Sequence, residues 1–325
     1  NGIGLVCTVV QELSQLGQAD TARQSEIRFL NSLNPHDKIQ YWAWPVSLMR
    51  AITLAHSESD YFEPGKVAMS GGSKNGATPS MAIISDERMT AVMGSVSPIW
   101  GCAWRLCDSE AWKSLEQESG KFNLPFLGGH FGPNFNRRAL ANGRSWNDLE
   151  DFAEAVSDQV FVSRNWEALQ KRGVDLLFHP GTHDFVAFDL AWGGQHHSQI
   201  PIYLKANTGH GKNRPHPAAE RDENNKLVFL LNHFVDGVEP LLEPPSVEHH
   251  RGKESLKVSV RFPRGSGEET GRIWWIFDRG SDGSPSYLSK LIPDQQSMEM
   301  RYQQAEDCWT AVIPIKSKAT RIDFF

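Results

Sequence analysis

Lys66-Val67-Ala68-Met69-Ser70-Gly71-Gly72-Ser73-Lys74-Asn75-Gly76 passes from small and β-branched residues through two glycines into a helix-forming run that lasts to about Ile84. The pattern predicts a buried strand closed by Gly71-Gly72, a tight turn, then a helix. A serine at such a turn is lifted clear of the sheet, and small neighbours permit the sharp reversal. A hydroxyl is a poor nucleophile at neutral pH, so Ser73 needs a base within hydrogen-bond reach and donors for a developing oxyanion; the backbone N–H of Lys74 is one candidate donor. The motif departs from G-x-S-x-G, because Asn75 stands two after the serine and Gly76 follows it. A purely structural glycine turn is the competing reading.

Outward from this turn, strand and helix signals alternate. Upstream, Tyr41 to Ile52 reads as a helix with Pro45 near its start and an apolar stripe at Val46, Met49 and Ile52. Downstream, Thr90 to Val96 (ended by Pro98), Val174 to Phe178 (closed by Pro180-Gly181) and Ile200 to Ala206 read as further strands. Asn225 to Val235 reads as the last helix, stopped by Gly237. Such alternation predicts an α/β architecture, a mostly parallel sheet with helices on both faces. A long insertion, 99–171, carries Trp100, Trp104, Trp112, Trp146 and Trp166 and is expected to form a lid or substrate wall.

Beyond Pro240, Pro244 and Pro245 the pattern changes. Leu256, Val258, Val260 and Phe262 alternate with polar residues, and Arg272 to Phe277 and Trp309 to Ile315 are strand-like. Two units are therefore expected: residues 1–240 as an α/β catalytic domain and residues 246–325 as an all-β, sandwich-like module. The Trp274-Trp275 pair suggests either a sugar-stacking platform or core packing; strand neighbours face opposite sides, so at least one belongs to a core.

A parallel sheet presents its functional loops beyond the carboxyl ends of its strands, and on a hydrolase scaffold the order runs serine, acid, histidine. Gly181-Thr182-His183-Asp184 follows one predicted strand and Asn207-Thr208-Gly209-His210 the next. Asp184 is the candidate orienting acid and His210 the candidate base, with Asp189 as the alternative acid. Turn former or helix cap is the plain alternative for Asp184, and an ordinary loop histidine for His210. The adjacent pairs His196-His197 and His249-His250 lack an acid or cysteine at ligand spacing, and Cys7, Cys102, Cys107 and Cys308 form no zinc pattern, so neither a metal nor another cofactor is expected. At most Cys102 and Cys107 form a local bridge.

With 39% hydrophobic and 22% charged residues and a net charge of -6, no basic surface for nucleic acid is indicated. No run reaches the ~18 apolar residues of a membrane-spanning helix.

The elbow Ser70-Gly71-Gly72-Ser73-Lys74-Asn75-Gly76, the loop Gly181 to Asp189 and the Asn207 to His210 segment together resemble the PhoPQ-activated pathogenicity-related protein family, an α/β-hydrolase group. The resemblance runs over roughly residues 40–325. It implies that Ser73, Asp184 and His210 match the family's proposed triad, and a periplasmic or secreted location. Glucuronoyl esterases are a second resemblance, through a G-x-S-R-N-G elbow and a Trp-Ala-Trp segment similar to Trp42-Ala43-Trp44; there the basic residue after the serine helps hold the oxyanion, which implies an oxyanion or substrate role for Lys74, beside Gly72 and Trp100. The expected partner is a small-molecule or carbohydrate ester, with peptide cleavage as a variant and a non-catalytic binding protein on the same scaffold as the alternative. Only 72 residues precede Ser73, whereas this fold places several strands and an oxyanion loop before its elbow, so an N-terminal portion is expected to be missing.

Overall fold

A computed structural model of the chain describes residues 3–8, 28, 31–37, 39–63, 65–72, 74–95, 139–179, 181, 200, 202–203, 217–238, 241–277, 294–319 and 322–325. Its first layer is a parallel sheet of β1 (Ala68–Gly72), β2 (Ala91–Ser95) and β3 (Asp175–His179) in sequential order. The register sets Met69 beside Val92 and Leu176, and Gly71 beside Gly94 and Phe178. A parallel bridge from Phe178 to Ile202 continues the sheet beyond β3, where the fourth strand is expected. Of that segment, residues 201 and 204–206 lie outside the described residues.

Side chains alternate across the pleat, so two faces must be covered. On one face Val92 and Phe178 share a core with Trp44, Leu48 and Ile52 of α1 (Ile39–Ser57), Ala82 and Ile83 of α2 (Lys74–Ser85), and Val162, Trp166 and Leu169 of α4 (Val162–Lys171). α3 (Trp146–Val160) packs on the outside of α2 through Leu149, Phe152 and Val156 against Met81. Asp175, Leu177 and His179 point to the other face, where Asp175 meets His233 of α5 (Pro217–Phe234). Helices α1, α2 and α4 thus cover one face, and α5 meets the sheet at the start of β3.

Several expectations require correction. α1 begins at Ile39, which puts Pro45 inside the helix rather than near its start. Its buried stripe is Trp44, Leu48 and Ile52, while Val46 is 47% exposed. Residues three apart fall about 60° short of a full turn at each step, whereas those four apart overshoot by about 40°, so the four-spaced row stays on one face longer. Gly71 and Gly72 are the last residues of β1 itself and do not form a separate turn. α5 begins at Pro217, eight residues before Asn225; proline is at home in a first helical turn because its missing N–H has no partner to lose there. Gly237, at φ +80, ends that segment as expected.

The half of the 99–171 insertion that is described is helical, and Trp166 and Leu169 are built into the core beneath the sheet. The serine and aspartate that open α3 form a capping box: the Ser145 hydroxyl accepts from the Asp148 N–H, and the Asp148 carboxylate accepts from the Ser145 N–H. Trp100, Trp104, Trp112, Cys102 and Cys107 lie outside the described residues.

Arg172, just past α4, donates to the carbonyls of Ile83, Asp86 and Met89 and so ties α4 to the loop between α2 and β2. In the same loop Arg88 grips the Asp86 carboxylate through Nε and Nη2 and reaches the Met49 carbonyl of α1. The Arg88 hydrogen bonds hold the Asp86 carboxyl below its ordinary range, against the opposing effect of burial.

The C-terminal residues form two antiparallel sheets. One has the order β4 (Ser246–Arg251), β5 (Ser255–Arg261), β9 (Cys308–Pro314), β8 (Arg301–Gln303); the other runs β10 (Ile322–Phe324), β6 (Arg272–Phe277), β7 (Ser297–Glu299). Leu256, Val258, Ala311 and Ile313 from the first meet Ile273 and Trp275 from the second in one core. Trp274, 4% exposed, packs on the opposite face of β6 with Ile276 and Phe325. Both tryptophans of the pair are therefore interior, and neither offers a sugar-stacking surface.

Candidate active site at the strand-helix turn

β1 ends at Gly72 and α2 begins at Lys74, so a single residue, Ser73, separates strand from helix. The two arms of the turn are in contact. A Cβ placed on Gly71 would lie 2.1 Å from the backbone oxygen of Asn75 and 2.5 Å from its carbonyl carbon. These residues stand two before and two after Ser73, the positions at which a tight strand-to-helix elbow closes on itself. Gly71 supplies the close approach on the strand side, where only a residue without a Cβ fits against the Asn75 backbone.

The helix side is shaped to match. Pro79 lies within α2 and carries no N–H for the carbonyl of Asn75, four residues earlier, while its ring crowds that carbonyl. Gly71 leaves the room that this oxygen occupies. Gly76 through Ile83 are buried, and Ser80 donates its hydroxyl proton to the Gly76 carbonyl at 2.9 Å, so the first turns of α2 are fixed by their surroundings. The Gly71-Gly94 pairing keeps side chains off the adjoining sheet surface.

Of the residues singled out from sequence, Gly72 is the last residue of β1 and Lys74 the first of α2. Ser73, Trp100, Asp184, Asp189 and His210 lie outside the described residues. His249 and His250 sit on the exposed strand β4, and among the described residues no group of histidine, cysteine or acidic side chains is arranged to hold a metal ion. Cys308 is a buried free cysteine, whose thiol pKa is raised chiefly by burial, and Cys7 an exposed one. No described helix is long and apolar enough to cross a membrane.

One polar network escaped the sequence reading. His233 Nδ1 stands 2.6 Å from Asp175 Oδ2, and His233 Nε2 stands 2.9 Å from Thr90 Oγ1. Its members are 58 and 143 residues apart, so only the sheet register and the docking of α5 bring them together. The available signal was a histidine in the last turn of an apolar helix, which calls for a partner when buried.

No protein family and no curated protein matches this chain. Among solved structures it is similar to a puromycin-hydrolyzing peptidase of Mycobacterium tuberculosis, at 18% identity and a TM-score of 0.33, over 58% of this chain and 26% of that one. It is also similar to a structure from a study of carboxylesterases of the ammonia-oxidizing thaumarchaeon Nitrososphaera gargenis, at 13% identity and a TM-score of 0.29, over 57% of this chain and 71% of that one. The chain thus spans about a quarter of the length of the peptidase, and at these scores neither likeness carries an inference about its chemistry.

Proposed function

We propose that the chain is a serine hydrolase of the α/β-hydrolase fold that cleaves a carboxylic ester through an acyl-enzyme on Ser73, with His210 as base and Asp184 as orienting acid. The observation that carries this reading is the one-residue junction between β1 and α2, closed by contact of Gly71 with Asn75. A turn of this kind presents its middle residue outward at the carboxyl edge of a parallel sheet, the edge at which such sheets do their chemistry.

The positions of the flanking elements support the other two assignments. Asp184 is five residues past His179, the end of β3. His210 belongs to the segment between Tyr203, which follows the parallel bridge, and Pro217, which opens α5. α5 is fastened at its C-terminal end beside the start of β3, and a helix of 18 residues is about 27 Å long, enough to reach the opposite edge of a sheet of this height. Acid, base and nucleophile would then converge on one rim. In the reaction, Ser73 Oγ attacks the ester carbonyl as His210 takes its proton; the same proton passes to the leaving alkoxide, and water repeats the sequence to release the acid. The N–H of Lys74 and its ammonium group are the candidate oxyanion donors, with Gly72 and Trp100 beside the substrate.

The same reading takes residues 1–240 as the catalytic domain, residues 246–325 as a β-sandwich-like module, and the PhoPQ-activated pathogenicity-related proteins as a group this chain resembles. The sharing of one core by the two C-terminal sheets supports the sandwich. The test is p-nitrophenyl acetate hydrolysis together with fluorophosphonate labelling of the protein and its Ser73→Ala variant. Turnover and labelling at Ser73 that both vanish in the variant are expected; no labelling of the unaltered protein would overturn the proposal.

A further inference from the structure

The Asp175-His233-Thr90 network has the connectivity of an acid, an imidazole and a hydroxyl in series, but its hydroxyl is engaged in holding the backbone. Val67 N–H donates to Thr90 Oγ1 at 2.8 Å, the same oxygen lies 3.1 Å from the Val67 carbonyl, and the Thr90 N–H donates to that carbonyl at 2.9 Å. Thr90 thus stitches the residue before β1 to the residue before β2, and the Asp175 N–H donates to the Thr90 carbonyl at 2.9 Å to add the start of β3. His233, buried, joins this strand-start seam to the last turn of α5. Beyond it, Asn232 donates to the Val238 carbonyl and Lys66 faces Asp236 across 3.6 Å at the surface.

Resting on the triad proposed above, we propose that Asp175, His233 and Thr90 are positioning residues: a clasp that fixes α5 to the strand-start edge, and on which the work of the proposed base His210, seven residues before α5 in the sequence, depends. The buried His233 imidazole joins α5 to both strand starts. A helix held at its far end by two hydrogen bonds to different strands cannot slide or swivel without breaking one of them. Small displacements at a reacting centre are costly, so the effect appears in turnover more than in binding.

The test uses the full chain with Thr90→Val, which keeps the β-branched shape and removes the hydroxyl, and Thr90→Ser, which restores it. Thr90→Val is expected to speed amide hydrogen exchange across 217–234 by about ten-fold or more while exchange in β5 and β9 stays unchanged. It is also expected to lower kcat for p-nitrophenyl acetate by about 10–100-fold with KM little altered. Thr90→Ser should return both toward the unaltered protein. Unchanged exchange in α5 would overturn the clasp, and faster exchange with unchanged kcat would overturn its positioning role. If the unaltered protein shows no Ser73-dependent turnover, the triad fails and the positioning role with it, while the exchange measurement still decides whether the clasp docks α5.

Discussion

Gly71 carries a tight backbone constraint at the strand-helix turn. Because an added methyl would meet backbone rather than a movable side chain, Gly71→Ala forces β1 and α2 apart. The expected cost is about 1–3 kcal/mol, read as a fall in the urea midpoint, with loss of any Ser73-dependent activity. Gly65, which has open space around its Cβ position and lies before β1, should accept alanine with little change. Asp86 offers a pH-dependent counterpart. Its carboxyl is held low by Arg88, so the stabilisation is complete above the unfolded-state value of about 4 and disappears as pH falls through the lower folded-state value. Asp86→Asn should therefore be less stable than the unaltered protein at pH 6, and the gap should close on acidification below about pH 4, as followed by urea denaturation at each pH. The glycine was visible in the sequence as a turn signal, but its contact with Asn75 was not, since residue type alone does not say which atom comes near. Asp86 gave no signal at all, for the value of a carboxylate lies in the arginine that folding sets beside it.

At the scale of elements, the strands of the parallel sheet were legible and helix phase was not. Ala91 to Gly94 of β2 and Leu177 to His179 of β3 are buried, while in β1 Ser70 is exposed and its neighbours half-buried; short runs of this kind bounded by turn residues announce parallel strands without needing periodicity. In α1 nearly every face carries an apolar residue, so Val46-Met49-Ile52 and Trp44-Leu48-Ile52 were both available stripes, and only packing on the sheet chooses between them. The choice has a measurable consequence. Leu48→Ala should cost about 2–5 kcal/mol, whereas Val46→Ala should stay within about 0.5 kcal/mol of the unaltered protein, both by chemical denaturation. The start of α5 was hidden by the run Pro217 to Asn224, whose polar residues read as loop. β7, β8 and β10 are three residues long each, too short to show alternation, and exist through pairing with β6 and β9.

For the whole molecule, two described cores are separate: the cluster under the parallel sheet and the cluster shared by strands of the two antiparallel sheets have no residue in common. The change from strand-helix alternation to strand alternation near residue 246 was readable because it is a change of period. Near the junction the Tyr203 hydroxyl donates to the Leu242 carbonyl at 2.9 Å. Burial is the main cause that raises the pKa of that phenol, with Glu243 adding to it. If the two cores unfold as separate units, Ile313→Ala should lower the midpoint of one calorimetric transition by several degrees and leave the other in place.

β4 pairs only with β5 among the described residues, and all six of its residues are exposed. A strand with one open side is an invitation to a second chain, and proteins meet that hazard with charge and bulk along the open rim. Ser246-Val247-Glu248-His249-His250-Arg251 answers in that way: Val247 is its single aliphatic residue, and Glu248 and Arg251 stand among imidazoles. In a fibril, where identical strands stack in parallel register, each ionised Glu248 and Arg251 would face its own kind every 4.7–4.8 Å or so. Like charge repeated at that spacing disfavours such stacking of β4.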